Sequence, residues 1–126
     1  MELLKKIIEL ENIADGFGFS WEEPQQIIDQ IRSECLEIIE HIEPNSKNTD
    51  ELALQEEVGD LLHAAFSLCI FLKLDPEETL KKTIAKFDRR LSAVKQITID
   101  KGLNDLKDKS FDELMQIWRK AKKLVG

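Results

Sequence analysis

Apolar residues recur every three to four positions along most of this chain, the spacing that gathers them on one face of an α-helix. From Glu2 to about Asp15 they fall at Leu3, Leu4, Ile7, Ile8 and Leu10, and Gly16 and Gly18 close the pattern, which predicts a first helix. Ser20 stands three residues before Glu23 in a capping-box spacing, and Pro24 suits a first turn, so a second helix is expected to run to about Ile42. The stretch Glu43-Pro-Asn-Ser-Lys-Asn is turn chemistry, after which Asn48 or Thr49 is expected to cap a third helix reaching about Lys73. Asp75 then offers an N-cap, with Pro76 at the first helical position and Glu78 at the third, opening a fourth helix to about Ile97. The polar segment from Thr98 to Lys109 reads as a loop, and Ser110-Phe-Asp-Glu113 caps a short last helix that carries Trp118.

Five helices joined by short connections, the second and third near-antiparallel, imply an all-α helical bundle. The 126 residues are expected to form a single domain spanning residues 1–126. Composition agrees, with 42% apolar and 34% charged residues, five Gly, three Pro and no Tyr. A net charge of -7 argues against a duplex nucleic acid partner, which normally needs a basic face. No apolar run approaches the ~18 residues of a membrane span, and Met1-Glu-Leu-Leu-Lys-Lys lacks the apolar core of a secretory signal, so a cytoplasmic protein is expected. Cys35 and Cys69 lie among apolar neighbours with no CxxC spacing and are expected to be core thiols.

Two acidic pairs carry the chemistry: Glu34-Cys-Leu-Glu37 on the second helix and Glu57-Val-Gly-Asp60 on the third. A three-residue separation puts both carboxylates of a pair on one face. At ~100° per residue, Ile27, Ile31, Cys35, Ile38 and Ile42 form an apolar arc on helix two, and Leu54, Val58, Leu61, Ala65, Leu68 and Leu72 form one on helix three. Each acidic pair lies at the edge of its arc, half-buried beside a shared seam. Carboxylates so placed raise one another's pKa unless a cation intervenes, and hard oxygen ligands suit Mg²⁺. Gly59 costs a helix about 1 kcal/mol relative to Ala, and close approach of another helix or a ligand would account for it.

With these motifs the chain resembles the MazG family of nucleoside triphosphate pyrophosphohydrolases, marked by ExxE followed by ExxD on antiparallel helices. The likeness covers most of the chain and is strongest to the catalytic C-terminal half of two-domain members. It extends to Gly16-Phe-Gly-Phe-Ser-Trp21, Glu56-Glu-Val-Gly-Asp-Leu-Leu62, Lys86-Phe-Asp-Arg-Arg90, Gly102-Leu103 and Trp118. The resemblance implies that Glu34, Glu37, Glu57 and Asp60 hold Mg²⁺, with Mn²⁺ as a substitute, and that a nucleoside triphosphate is split into a monophosphate and pyrophosphate. Glu37 would serve as base, Lys86 and Arg90 would neutralise phosphate charge, and Trp118 would stack on the base or anchor its helix. House-cleaning of noncanonical or surplus nucleotides is the implied role.

The chain also departs from the family pattern. Ser33 stands where Glu is frequent, Gln30 and Ala53 where Lys is frequent, and Ile84 where Asn is frequent, which bears on phosphate contacts and substrate range. His63 follows Asp60 at the carboxylate-x-x-His offset of di-iron bundles, yet His41 lacks the matching acid, so His63 is expected to be a packed or hydrogen-bonded neighbour of the metal shell. Apolar residues on several faces, as at Phe66, Leu68, Ile70 and Phe71, point to a homodimer or homotetramer. The competing reading is a non-catalytic helical oligomerisation or regulatory module that keeps the fold.

Overall fold

A computed structural model of the chain describes residues 1–43 and 51–126. Its secondary structure there is all-helical: α1 Glu2–Phe17, α2 Pro24–Ile42, α3 Glu51–Phe71, α4 Pro76–Asp100 and α5 Phe111–Val125. The expected all-α organisation of five helices is the one the described residues adopt, while the caps expected at Asn48 and Thr49 lie outside them. No helix among the described residues is long and apolar enough to cross a membrane. Two compact units divide the chain, Met1–Thr79 and Leu80–Gly126.

In the first unit α3 is the shared partner, with α2 packed along it and α1 against it. Glu37 stands between one and two turns before the end of α2, and Glu57 likewise between one and two turns after the start of α3. Their carboxylates meet. Residues equidistant from a connection meet only when the two helices run antiparallel, as the sequence implies. Leu4, Ile27 and Ala64 are buried here, together with the polar Glu34 and Ser67.

That inward set corrects the sequence reading at several positions. Cys35 is exposed and Cys69 only half-buried, so neither is the sealed core thiol expected. Val58 on α3, Leu72 just beyond its end and Ile42 on α2 are also exposed. The line facing the neighbours runs instead through Ala64 and Ser67. The cause is the composition of α3, Glu-Leu-Ala-Leu from its start and Leu-Cys-Ile-Phe at its end, which is apolar on nearly every side and so has no unique buried stripe. A Cβ built on Gly59 meets nothing within 4 Å, so of the two expected neighbours, a helix or a ligand, no helix among the described residues approaches it.

Helix ends show which local signals decide. Helix α2 begins later than Ser20 suggests. Glu23 is the N-cap and Pro24 the first helical residue, and Gln26 Oε1 accepts from the Glu22 and Glu23 amides at 2.8 and 3.1 Å. Proline lacks an amide proton, so the first helical position costs it nothing. Asp75 caps α4 as expected, its Oδ2 accepting from Glu78 N at 2.9 Å. Ser110 caps α5, its Oγ accepting from Glu113 N at 3.2 Å. Helix α1 closes with Gly18 at φ 94°, where Phe19 N donates to Ala14 O at 2.8 Å in a left-handed cap. Helix α3 ends the same way, with Leu74 N donating to Cys69 O at 2.9 Å, but the left-handed residue is Lys73 at φ 64°.

The second unit is built on Ala93 and Ile97 of α4 against Ile117 and Ala121 of α5, with Val94 and Leu106 packed alongside. Buried Thr98 returns its hydroxyl to Val94 O at 2.8 Å, which satisfies it within the helix.

A side chain in the left-handed region costs about 1 to 2 kcal/mol, part of which glycine returns as unfolded-state entropy. Lys73→Gly should therefore raise stability by up to about 1 kcal/mol, read as a higher denaturation midpoint at unchanged slope; a lower midpoint would show that the lysine side chain has a stabilising partner.

Candidate active site

Three acidic side chains converge on the α2–α3 seam. Glu34, Glu37 and Glu57 each place a carboxylate oxygen within 4.8 Å of the others. Glu34 is buried at 7% exposure, and Glu57 is half-buried. Gln30, one turn earlier on α2, donates from Nε2 to Glu34 Oε1 at 2.7 Å and fixes that carboxylate. The other oxygen of Glu34 and Oε2 of Glu57 are buried with no hydrogen-bond partner.

Such an arrangement is electrostatically frustrated by itself. Glu57 is pushed up to about 7, first by its hydrogen bond with the Glu37 side chain, then by burial and by the charges of Glu37 and Glu34. The raised carboxyl favours a proton as counter-charge below about pH 7, and a hard divalent cation would answer the same need with oxygen ligands already in place. Two orphaned carboxylate oxygens and a third nearby fit such an ion. Asp60, one turn beyond Glu57, stands outside the trio and lines an adjoining cavity that Glu34 also borders.

That cavity, about 940 Å³, belongs entirely to the first unit. Phe19, Trp21 and Phe71 supply its aromatic surface, and Glu11, Asn12, His63, Ser67 and Lys73 are among its polar groups. Glu11 bridges α1 to α3, its Oε1 accepting from Ser67 Oγ at 2.6 Å and lying 2.9 Å from His63 Nε2. His63 is therefore a hydrogen-bonded neighbour, as the sequence suggests. Neither Glu11 nor Ser67 stands out in the sequence, because their contact spans 56 residues and exists only once α1 has packed on α3. Gln30 carries a legible signal, its four-residue spacing to Glu34 on one helix face.

Lys86, Arg90 and Trp118 belong to the second unit. Lys86 is exposed on α4. Arg90 is held from two directions: its guanidinium lies 5.7 Å from the centre of the Trp118 ring, and its Nε donates to Gly126 O at 2.9 Å. Phe87 meets Trp118 with ring centres 6.1 Å apart and planes tilted by 48°. The tryptophan is thus a platform for Arg90 through a cation–π contact.

The acidic trio and its adjoining cavity form a site that a hard divalent cation fits, and known proteins share the sequence that builds it. Residues 22–95 match the MazG nucleotide pyrophosphohydrolase domain. The chain is 32% identical over 113 residues to the nucleoside triphosphate pyrophosphohydrolase/pyrophosphatase MazG of Thermotoga maritima, covering 90% of this chain and 41% of that protein. It is 29% identical over 120 residues to the nucleoside triphosphate pyrophosphohydrolase of Escherichia coli, covering 95% and 44% respectively. A 77-residue stretch is 35% identical to YabN of Bacillus subtilis, 61% of this chain and 16% of that protein. The chain belongs to the MazG nucleotide pyrophosphohydrolase domain family, and spans less than half the length of the Thermotoga and Escherichia relatives.

The raised Glu57 carboxyl fixes a sign. Its folded pKa, about 7, exceeds the ordinary 4.5, so between those values the folded state holds more proton than the unfolded one. Metal-free stability should fall as pH rises through that window. Glu57→Gln should flatten the slope, measured as thermal midpoint against pH in EDTA. Mg²⁺ must displace the proton, so its affinity should weaken below pH ~7; calorimetry in two buffers of different ionisation enthalpy would detect the released proton, and no release would contradict the assignment.

Proposed function

We propose that this domain hydrolyses nucleoside triphosphates to a nucleoside monophosphate and pyrophosphate with Mg²⁺ as cofactor, Mn²⁺ serving as a substitute. The observation that carries the proposal is the convergence of Glu34, Glu37 and Glu57 with two buried, unpartnered carboxylate oxygens. Glu34, Glu37, Glu57 and Asp60 are the proposed metal ligands. The ion, when bound, neutralises phosphate charge and lowers the pKa of a bound water.

The chain's own groups supply the rest. Gln30 keeps Glu34 in position, and Glu37 is the proposed base that takes a proton from the attacking water. As water oxygen bonds to phosphorus, the bridging P–O bond breaks and pyrophosphate leaves. Lys86 and Arg90 are the proposed phosphate-binding cations, with Trp118 as the substrate-side aromatic that also orients Arg90. Residues 1–126 are proposed to act as one functional domain, in the cytoplasm, on noncanonical or surplus nucleotides.

Assembly belongs to the same proposal. Leu36 and Ile39 on α2 and Leu52, Val58 and Leu62 on α3 are large apolar side chains exposed in the single chain. A second copy is the proposed cover, giving a homodimer or homotetramer. Light scattering should report a dimer or tetramer, with Leu62→Glu shifted towards monomer; a monomeric parent protein would reject this part.

The activity is tested by pyrophosphate release from a panel of canonical and modified nucleoside triphosphates with Mg²⁺, Mn²⁺ or EDTA. Release should require metal and fall by at least about 100-fold in Glu34→Gln, Glu57→Gln and Asp60→Asn, the scale of losing one transition-state charge contact, with helical content retained. Undiminished turnover in Glu57→Gln would show that the site is misplaced. No release by well-folded parent protein would favour the non-catalytic oligomerisation module.

A further inference from the structure

Resting on the nucleotide-hydrolase reading, we infer that Glu11 determines base specificity and that the cavity between α1 and α3 takes nucleobases presenting an exocyclic amino group. The cavity borders the acidic cluster at Glu34 and Asp60 and continues to Glu11, Phe71 and Trp21. Asp60 and Ser67 lie seven positions apart on α3, roughly 10 Å of helix rise. Ser67 is the residue that holds Glu11. A nucleotide whose phosphates sit at the acidic cluster therefore reaches Glu11 with its base edge.

Glu11 is suited to read that edge and unsuited to meet phosphate. It is an anion, so it repels phosphate, and an ionised carboxylate only accepts hydrogen bonds. Both of its contacts fall on Oε1, from Ser67 Oγ at 2.6 Å and at 2.9 Å from His63 Nε2. They fix the orientation of the carboxylate without using Oε2. Ser67 is itself buried at 5% exposure, so this support comes from the protein interior.

Phe19, Trp21 and Phe71 offer π faces to a planar ring of any identity. Discrimination must come from the polar group. An amino group on cytosine or adenine donates to a carboxylate, whereas the carbonyl oxygen that replaces it in uracil or hypoxanthine meets it lone pair to lone pair. Sites built around such a hydrogen bond reject the analogue that cannot make it.

Two minimal pairs, CTP against UTP and ATP against ITP, isolate the amino group. The parent protein should favour the amino member of each pair in kcat/KM by about tenfold or more, the scale of one hydrogen bond to a charged group. Glu11→Gln, whose amide both donates and accepts, should bring the ratio towards one. Ser67→Ala, which keeps the carboxylate but removes its support, should lower the ratio part of the way. A merely structural Glu11 would reduce both members alike and leave the ratio unchanged, which overturns the inference, as does a parent protein with no amino preference.

If the parent protein releases no pyrophosphate, the hydrolase reading fails separately. Calorimetric titration of CTP and UTP with Mg²⁺ then decides base recognition alone. Tighter CTP binding that Glu11→Gln abolishes upholds it, and equal or absent binding overturns it.

Discussion

Three carboxylates held within 4.8 Å of one another are the constraint around which the first unit is organised. Left without a counter-charge, they repel, and the burial of Glu34 and partial burial of Glu57 make the repulsion costly. The chain nevertheless brings them together by packing two antiparallel helices so that equidistant positions meet. It answers part of the cost with Gln30, which donates to Glu34, and part with a proton retained on Glu57. The remainder is unbalanced negative charge on oxygen ligands, which a hard divalent cation would neutralise.

Around that seam the helices have unequal tasks. Helix α2 carries two of the three acids and the glutamine that orients one of them. Helix α3 brings the third and extends past it to Ser67, where α1 docks through Glu11. The acidic trio and the cavity consequently share one continuous element, so the packing that sets one sets the other. In the second unit a different device operates: an aromatic pair, Phe87 and Trp118, presents a face to Arg90 and limits where its guanidinium can lie.

The helices themselves were legible in sequence because apolar periodicity and capping residues are local. Asp75 and Ser110 cap as their side chains suggest, and of the four carboxylates expected to converge Glu34, Glu37 and Glu57 meet while Asp60 stands outside the trio. Burial was less legible. Helix α3 is apolar nearly all round, so a wheel does not choose between the Val58 line and the Ala64–Ser67 line, and Cys35, apolar in its neighbours, stays out of the core. Ser20 has the composition of a cap, but Pro24 and Gln26 set the start of α2. Lys73 gave no sign of its left-handed backbone, which is imposed by the termination of α3. Glu11 required the tertiary fold, since its partners are 52 and 56 residues away.

The measurement closest to the central claim is a crystal structure grown with Mn²⁺ and a non-hydrolysable nucleoside triphosphate, with the ion located by its anomalous scattering. The account predicts a peak on the α2–α3 seam, with oxygen ligands from Glu34, Glu37 and Glu57 at roughly 2.0 to 2.3 Å, the range of hard divalent ions on carboxylates. A peak elsewhere on the chain, or none on the seam while nucleotide is bound, would contradict it.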